Sequence, residues 1–87
     1  MSSTYRIFLT SSAEKALKKL PEGDQRRIAA AISALAIDPH PVGAKKMSGF
    51  DSLFRIRVGN YRIIYQIEGR ILTITVLKVG HRRDIYR

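Results

Sequence analysis

Residues 53–67 read LFRIRVGNYRIIYQI, and this segment predicts two neighbouring strands. Apolar residues alternate with arginines in Leu53–Val58, which is the period of a half-buried strand. Tyr61–Ile67 continues with β-branched and aromatic residues that favour a second strand. Between them, Gly59-Asn60 is a two-residue turn signal typical of antiparallel pairs. The stretch therefore predicts a β-hairpin.

Before this hairpin the pattern changes to one strand and two helices. Tyr5–Leu9 is predicted to be the first strand, and Ser11 with Glu14 three residues later matches a capping box at a helix start. Pro21 ends this first helix and is suited to the first turn of a second one. The second helix is predicted to end near Asp38–Pro41, and its apolar stripe consists of Ile28, Ile32 and Leu35.

After these helices the chain is predicted to be mostly strand. Residues 41–52 look like a loop, Glu68-Gly69 signals a turn, and Ile71–Val79 is predicted to be the last strand. The order is β-α-α-β-β-β. We therefore expect a small α+β fold, a single domain over residues 1–87, in which the N-terminal strand and the helical hairpin pack on one face of an antiparallel sheet.

Composition excludes several classes of site. The chain has no cysteine and two histidines, so we expect neither disulfides nor a metal site, and no cofactor. The N-terminus lacks the apolar run of a signal peptide, and no segment approaches the ~18 apolar residues that a membrane span needs. The sequence therefore predicts a cytoplasmic protein without membrane association.

Positive charge is concentrated in the second half of the chain. Residues 45–87 hold ten Lys and Arg against three Asp and Glu, a balance of +7 out of the total of +9. Such a field attracts polyanions, which indicates nucleic acid or an acidic protein as partner. Lys45, Lys46 and Arg83 are expected to supply general attraction to such a polyanion.

Three arginines of the hairpin share one face. Side-chain alternation places Arg55, Arg57 and Arg62 opposite the apolar residues, and the tight turn makes Arg57 and Arg62 neighbours. Like charges on adjacent strands destabilise a sheet, so folding alone gives no reason to collect them. Guanidinium groups bind phosphate oxygens in a bidentate way, and the cluster predicts a phosphate-binding site. The alternative is a solvated sheet face.

The chain finishes with VGHRRDIYR, Val79–Arg87, which combines cations with groups able to transfer protons. His81 has an unperturbed pKa near neutrality, and we expect surrounding positive charge to lower that pKa so that the neutral ring can act as a base. Tyr86 is the second candidate, and the assignment of base and proton donor stays open. Structural alternatives are a strand cap for His81 and an anchor for Tyr86.

The hairpin followed by the terminal motif V-x-H-R-x-x-x-Y resembles the RelE/ParE superfamily of bacterial toxins, on its RelE branch. The resemblance covers nearly the whole chain. It implies the toxin of a type II toxin-antitoxin system: a ribosome-dependent mRNA endonuclease that cuts translated mRNA in the ribosomal A site. It also implies a cognate RelB-like antitoxin and a toxin-antitoxin hetero-oligomer.

Site roles carry over from this resemblance by position. Arg55 and Arg57 match residues that hold the message backbone, and Arg62 matches the arginine at the scissile phosphate. Arg82 matches an arginine with leaving-group and phosphate duties, and Tyr86 matches a tyrosine linked to stacking and proton transfer. Some relatives carry lysine where this chain has Arg55 or Arg57. A base role proposed for that lysine does not transfer, since arginine is a poor proton acceptor.

Two rival functions remain at this level. One is a ParE-like toxin that inhibits gyrase through protein contact without nuclease activity. The other is an RNA-binding module without catalysis, which explains the charge but gives His81 and Tyr86 no task.

Overall fold

The computed structural model describes residues 4–83, and a five-stranded sheet forms its frame. The spatial order of the strands is β1-β5-β4-β3-β2. The strands are β1 (Arg6–Leu9), β2 (Lys45–Lys46), β3 (Leu53–Val58), β4 (Tyr61–Glu68) and β5 (Thr73–His81). Two helices, α1 (Ser11–Lys18) and α2 (Glu22–Leu35), pack on one face of this sheet. The predicted α+β fold is confirmed, with one strand more than expected.

The central hairpin forms as the sequence predicts. β3 and β4 are antiparallel, and Val58 pairs with Tyr61 on either side of the two-residue turn. Gly59 has a φ of +59°, as required at the first central position of a type II′ turn. That turn matches the twist of the strands and fixes their register, so every side chain of the hairpin is assigned to one face.

One edge of the sheet differs from the all-antiparallel prediction. β1 pairs with β5 in the parallel direction, with Ile7 opposite Ile74. Both helices and three strands lie between β1 and β5 in the chain, so no tight turn dictates an antiparallel pairing here. The remaining pairs of strands are antiparallel.

The predicted capping box at Ser11 is wrong by one residue. Thr10 is the N-cap of α1, and its hydroxyl accepts a hydrogen bond from the Ala13 N–H at 3.1 Å. The same hydroxyl donates to the Leu77 carbonyl at 3.0 Å. Because this second bond reaches β5, a tertiary contact selects Thr10 over the equally suitable Ser11.

The connector between α2 and the hairpin was predicted to be a loop, which is wrong for two of its residues. Lys45 and Lys46 form β2, whose partners on β3 are Arg55 and Phe54. Lysine has a low β-propensity, and a strand of this length shows no alternation that a sequence pattern can detect. The edge of β3 creates this short strand.

The last strand is shifted two residues toward the C-terminus relative to its prediction. A 3₁₀ turn spans Gly69–Ile71, and Leu72 follows with a left-handed φ of +49°. Apolar Ile71 is consequently exposed, and β5 starts at Thr73. As a result of this shift, His81 becomes the last residue of the strand.

The core lies between the helices and the sheet. The predicted α2 stripe is buried, together with the apolar side chains that β3, β4 and β5 direct to this face: Ile56, Ile63, Tyr65, Ile74, Val76 and Val79. Tyr65 is fully buried, and its hydroxyl donates to the Pro39 carbonyl at 2.8 Å. Within the described part of the chain, no helix is long and apolar enough to span a membrane.

Candidate functional site

A cleft of about 330 Å³ lies on the sheet face away from the helices. We call it the cationic cleft, because four of the six residues that line it are basic. They are Lys45, Arg55, Arg57 and Arg62, and the other two are Gly43 and Ile56. Four of the nine residues predicted to form the site therefore come together here.

Strand register explains why these four cations converge. Lys45 on β2 stands opposite Arg55 on β3, and Arg57 on β3 stands opposite Arg62 on β4. Residues paired across neighbouring strands point to the same face of a sheet, with Cβ atoms about 4.5–5.5 Å apart. The short strand β2 is thus what brings Lys45 to the hairpin arginines.

Three of the four cations in the cleft have no carboxylate partner among the described residues. Within residues 4–83, no Asp or Glu oxygen comes within 4.0 Å of Lys45, Arg57 or Arg62. Guanidinium groups stay protonated at any physiological pH, so the repulsion cannot be relieved by titration. An anionic ligand with several charges is the natural counterpart of such a cleft.

Lys46 lies on the other side of the sheet from the cleft. It pairs with Phe54, a residue of the core face, and its Nζ is 4.0 Å from an Asp51 carboxylate oxygen. The predicted contact of Lys46 with RNA is untested, but this side chain does not line the cleft.

His81 is also on the core face and not in the cleft. It pairs with Tyr61, and the two rings meet edge to face with centroids 5.9 Å apart. The residue opposite Arg62 on β5 is Gly80, which has no side chain. The structure therefore separates His81 from the hairpin arginines by the thickness of the sheet, and its role as a base stays a prediction.

Arg82 and Arg83 form a turn directly after β5. The Arg82 N–H donates to the Asn60 carbonyl at 3.0 Å, and the Arg83 N–H donates to His81 Nδ1 at 3.3 Å. Both arginines are exposed. Their backbone is held close to the β3–β4 turn, at the same end of the sheet as Arg62. Tyr86 lies outside the described residues.

An apolar groove of about 230 Å³ adjoins the cleft. It runs between α2 and the end of β3, and it shares Gly43, Ile56 and Arg57 with the cationic cleft. The other residues of the groove are Ala31, Ala34, Pro41, Val42 and Val58. A charged and an apolar surface are therefore continuous across Arg57.

One contact next to the site escapes sequence analysis. The Tyr61 hydroxyl donates to Asp24 Oδ2 at 3.0 Å, across 37 residues of chain. This hydrogen bond raises the pKa of Tyr61 above its ordinary value, and burial and the charge of Asp24 act in the same direction, while the Arg27 cation opposes them. No local spacing connects Asp24 with Tyr61, and Tyr61 alone looks like a core residue, so only the fold reveals the pair.

Comparison with known proteins places the chain in a family. Residues 7–86 match the family model described as ParE toxin of type II toxin-antitoxin system, parDE. The chain is 35% identical over 88 residues to toxin RelG of Mycobacterium tuberculosis, covering 95% of this chain and 97% of that protein. It is 32% identical over 85 residues to toxin RelE3 of Methanocaldococcus jannaschii, covering 93% of this chain and 94% of that protein.

Solved structures of RelE-type chains have a similar fold. The archaeal RelE–RelB complex from Pyrococcus horikoshii contains a chain that is similar with a TM-score of 0.83 and 31% identity, over 93% of this chain and 98% of that one. The RelB–RelE complex from Methanococcus jannaschii gives a TM-score of 0.75 and 31% identity, over 91% and 94%. Matched along nearly its whole length by the family model and by RelE-type relatives, the protein belongs to the RelE/ParE superfamily of type II toxins.

Proposed function

We propose that this toxin is a ribosome-dependent endoribonuclease that inhibits translation in the cytoplasm by cutting mRNA in the ribosomal A site. The observation that carries the proposal is the cationic cleft: Lys45, Arg57 and Arg62 face one concavity, and no carboxylate of residues 4–83 neutralises them. A row of phosphates supplies the missing counter-charge. Arg55 lines the same cleft and extends it along β3.

The reaction we propose needs no metal and uses the RNA's own 2′-hydroxyl. The 2′ oxygen loses its proton to a base and forms a bond to the adjacent phosphorus. The bond from phosphorus to the 5′ oxygen breaks, and that oxygen receives a proton. Arg62 in the cleft and Arg82 at the end of β5 would stabilise the charge on the phosphorane. The products are a 2′,3′-cyclic phosphate and a 5′-hydroxyl.

Proton transfer is assigned to the C-terminal segment. His81 and Tyr86 are its two candidates, and the choice of base and proton donor between them stays open. Because His81 lies on the core face, direct transfer by His81 requires the message to pass around the end of the sheet. Much of the rate enhancement must then come from the ribosome, which would align the 2′ oxygen, the phosphorus and the 5′ oxygen for in-line attack. Fixing the reacting groups in this way supplies about 7–11 kcal/mol of an activation barrier.

A cleavage assay on programmed ribosomes tests the proposal. Purified protein is added to ribosomes that carry a defined message in the A site, and the RNA fragments are mapped together with their end groups. We expect fragments with 2′,3′-cyclic or 3′-phosphate ends. A message with one 2′-deoxynucleotide on the 5′ side of the cleaved bond should stay intact, whereas the same substitution elsewhere should have no effect. Intact wild-type message would overturn the proposal.

The family model's description supports a second candidate, a ParE-like toxin that inhibits gyrase. The named relatives of this chain are RelE-type, and the cationic cleft has no task in that alternative. A supercoiling assay with purified gyrase separates the two functions. Inhibited supercoiling together with intact message on the ribosome would establish the alternative.

We also propose a RelB-like antitoxin as partner in a toxin-antitoxin hetero-oligomer. The similar solved chains include RelE in complex with RelB. The high positive charge and the exposed apolar residues Phe8, Ile37, Val42, Phe50 and Ile71 suit an acidic chain that wraps around the domain. Expressed alone, the toxin should arrest bacterial growth. Co-expression with the open reading frame next to its own gene should restore growth and yield a complex that co-purifies.

A further inference from the structure

Two consecutive side-chain contacts connect α2 to the end of β5. Asp24, in the first turn of α2, accepts a hydrogen bond from the Tyr61 hydroxyl at 3.0 Å. The Tyr61 ring meets the His81 imidazole edge to face, with an angle of 77° between the ring planes. We call Asp24, Tyr61 and His81 the contact chain. It links a helix to a strand end through two side-chain contacts.

The His81 end of the contact chain adjoins the turn formed by Arg82 and Arg83. His81 Nδ1 accepts the Arg83 N–H at 3.3 Å, and the Asn60 carbonyl accepts the Arg82 N–H at 3.0 Å. Asn60 is the residue directly before Tyr61. Both arginines are therefore tied by their backbones to groups that Tyr61 adjoins or contacts.

The Asp24 end of the contact chain is held in place as well. Arg27 Nη1 lies 3.6 Å from Asp24 Oδ1, one helical turn along α2. The Arg27 guanidinium also lies against Gly59, so closely that a Cβ on Gly59 would clash with it. The helix thus contacts the β3–β4 turn at two points. The Tyr61 phenol donates its hydrogen bond to Asp24, and this bond raises the pKa of Tyr61 above its ordinary value.

We infer that Asp24 and Tyr61 are positioning residues, which hold the Arg82–Arg83 turn at the end of the cationic cleft so that its guanidinium groups meet the RNA phosphates. The inference rests on the proposed function. Arg82 and Arg83 are exposed and follow the strand that pairs Gly80 with Arg62. A turn without this support would sample many orientations, and catalysis loses rate when charge must be oriented during the reaction.

The expected effect is on kcat and not on KM. We expect most of the ground-state binding of RNA to come from the cleft cations, with Arg82 and Arg83 acting mainly on the transition state, and Asp24 and Tyr61 do not line the cleft. Loss of one positioning hydrogen bond should lower kcat about 3- to 10-fold, the rate equivalent of one ordinary net hydrogen bond. KM for programmed ribosomes should stay unchanged.

Four variants test the inference. Tyr61→Phe removes the hydroxyl but keeps the ring on His81, and Asp24→Ala removes the acceptor; both should lower kcat. Asp24→Asn retains an oxygen that can accept the bond and should recover most of the rate. Tyr5→Phe is the matched control, since Tyr5 packs against the core from β1's side of the sheet and lies outside the contact chain. Thermal melting establishes that each variant is folded.

A second background shows whether the effect acts through the turn. In an Arg82→Ala/Arg83→Ala protein, Tyr61→Phe should reduce kcat no further. If the two effects multiply, or if Tyr61→Phe cleaves at the wild-type rate, the inference is wrong. Full activity of the double arginine variant would overturn it too, because the turn would then have no role to be positioned for.

Amide hydrogen exchange gives a readout that is independent of cleavage. The Arg82 and Arg83 amides should exchange faster in Tyr61→Phe and Asp24→Ala than in the wild type and in Tyr5→Phe. Unchanged exchange at both amides would refute the contact chain even if the protein is an active nuclease. If the wild type fails to cleave but the exchange responds as expected, the failure belongs to the proposed function and the positioning of the turn stands.

Discussion

Arg57 and Arg62 face each other directly across the β3–β4 hairpin, at the pair next to the one that closes the turn. Like charges at such a position cost stability, and neither arginine has a carboxylate of residues 4–83 within ion-pair distance. A domain of this size has little stability to spare. This unfavourable pair is consistent with the proposed binding surface, since folding alone gives no reason for it.

The first prediction is that stability and activity respond in opposite directions at this pair. Arg57→Ala and Arg62→Ala should each leave the free energy of unfolding unchanged or raise it by up to about 1 kcal/mol, because repulsion is removed. Cleavage on programmed ribosomes should fall by about 10²–10³ for Arg62→Ala. Arg70→Ala, which removes the same charge from the exposed 3₁₀ turn, is the control. A large loss of stability in Arg62→Ala would contradict this interpretation.

The second prediction concerns the salt dependence of RNA binding. Each phosphate contact made by a cleft cation should contribute about 0.7 to the slope of log K against log salt concentration for single-stranded RNA. Lys45→Ala and Arg57→Ala should therefore each flatten the slope by roughly that amount. Lys18→Ala, whose amine is paired with Glu14 on α1, should leave it unchanged. Titrations of a labelled RNA by fluorescence anisotropy at several salt concentrations measure the slopes.

The third prediction concerns alkaline stability. Burial raises the pKa of Tyr65 to about 12, and the nearby Asp38 charge adds to the shift. The folded pKa lies above the ordinary value of 10.0. The contribution of Tyr65 to the free energy of unfolding is therefore complete below pH 10.0 and is lost as the pH rises toward 12. Tyr65→Phe removes the hydrogen bond to Pro39 and should cost about 1 kcal/mol at neutral pH.

Denaturant unfolding at neutral and alkaline pH checks this behaviour. The difference in unfolding free energy between wild type and Tyr65→Phe should shrink steadily above pH 10.0, because only the wild type has this buried phenol to ionise. Tyr5→Phe serves as the control for loss of a tyrosine hydroxyl elsewhere. A difference that stays constant across this pH range would show that Tyr65 ionises without penalty in the folded state.

The fourth prediction separates the two candidate caps of α1. Thr10→Ala should destabilise the protein by about 1 kcal/mol or more, because it removes the cap to Ala13 and the bond to Leu77 together. Ser11→Ala should have little effect, since Ser11 is an exposed residue of the first turn. Chemical denaturation of the two variants measures both values. The reverse ranking would restore the capping box that the sequence suggests.

Much of the candidate site could be predicted from the hairpin alone. Alternation along the strands and a two-residue turn leave only one arrangement for Arg55, Arg57 and Arg62, and the register confirms it. Local sequence succeeds here because the side-chain period of a strand and the length of the turn are both fixed by backbone geometry. The same reasoning correctly identifies the buried stripe of α2.

Local sequence patterns are sufficient to predict which residue types face together within one hairpin or one helix, because those relationships extend over only a few residues. The neighbours of these residues depend on tertiary packing: Lys45 enters the cleft through β2, His81 packs on Tyr61, and β1 runs parallel to β5. These contacts join segments far apart in the chain. Their free energy depends on the packing of the whole sheet and its helices, which no local pattern encodes.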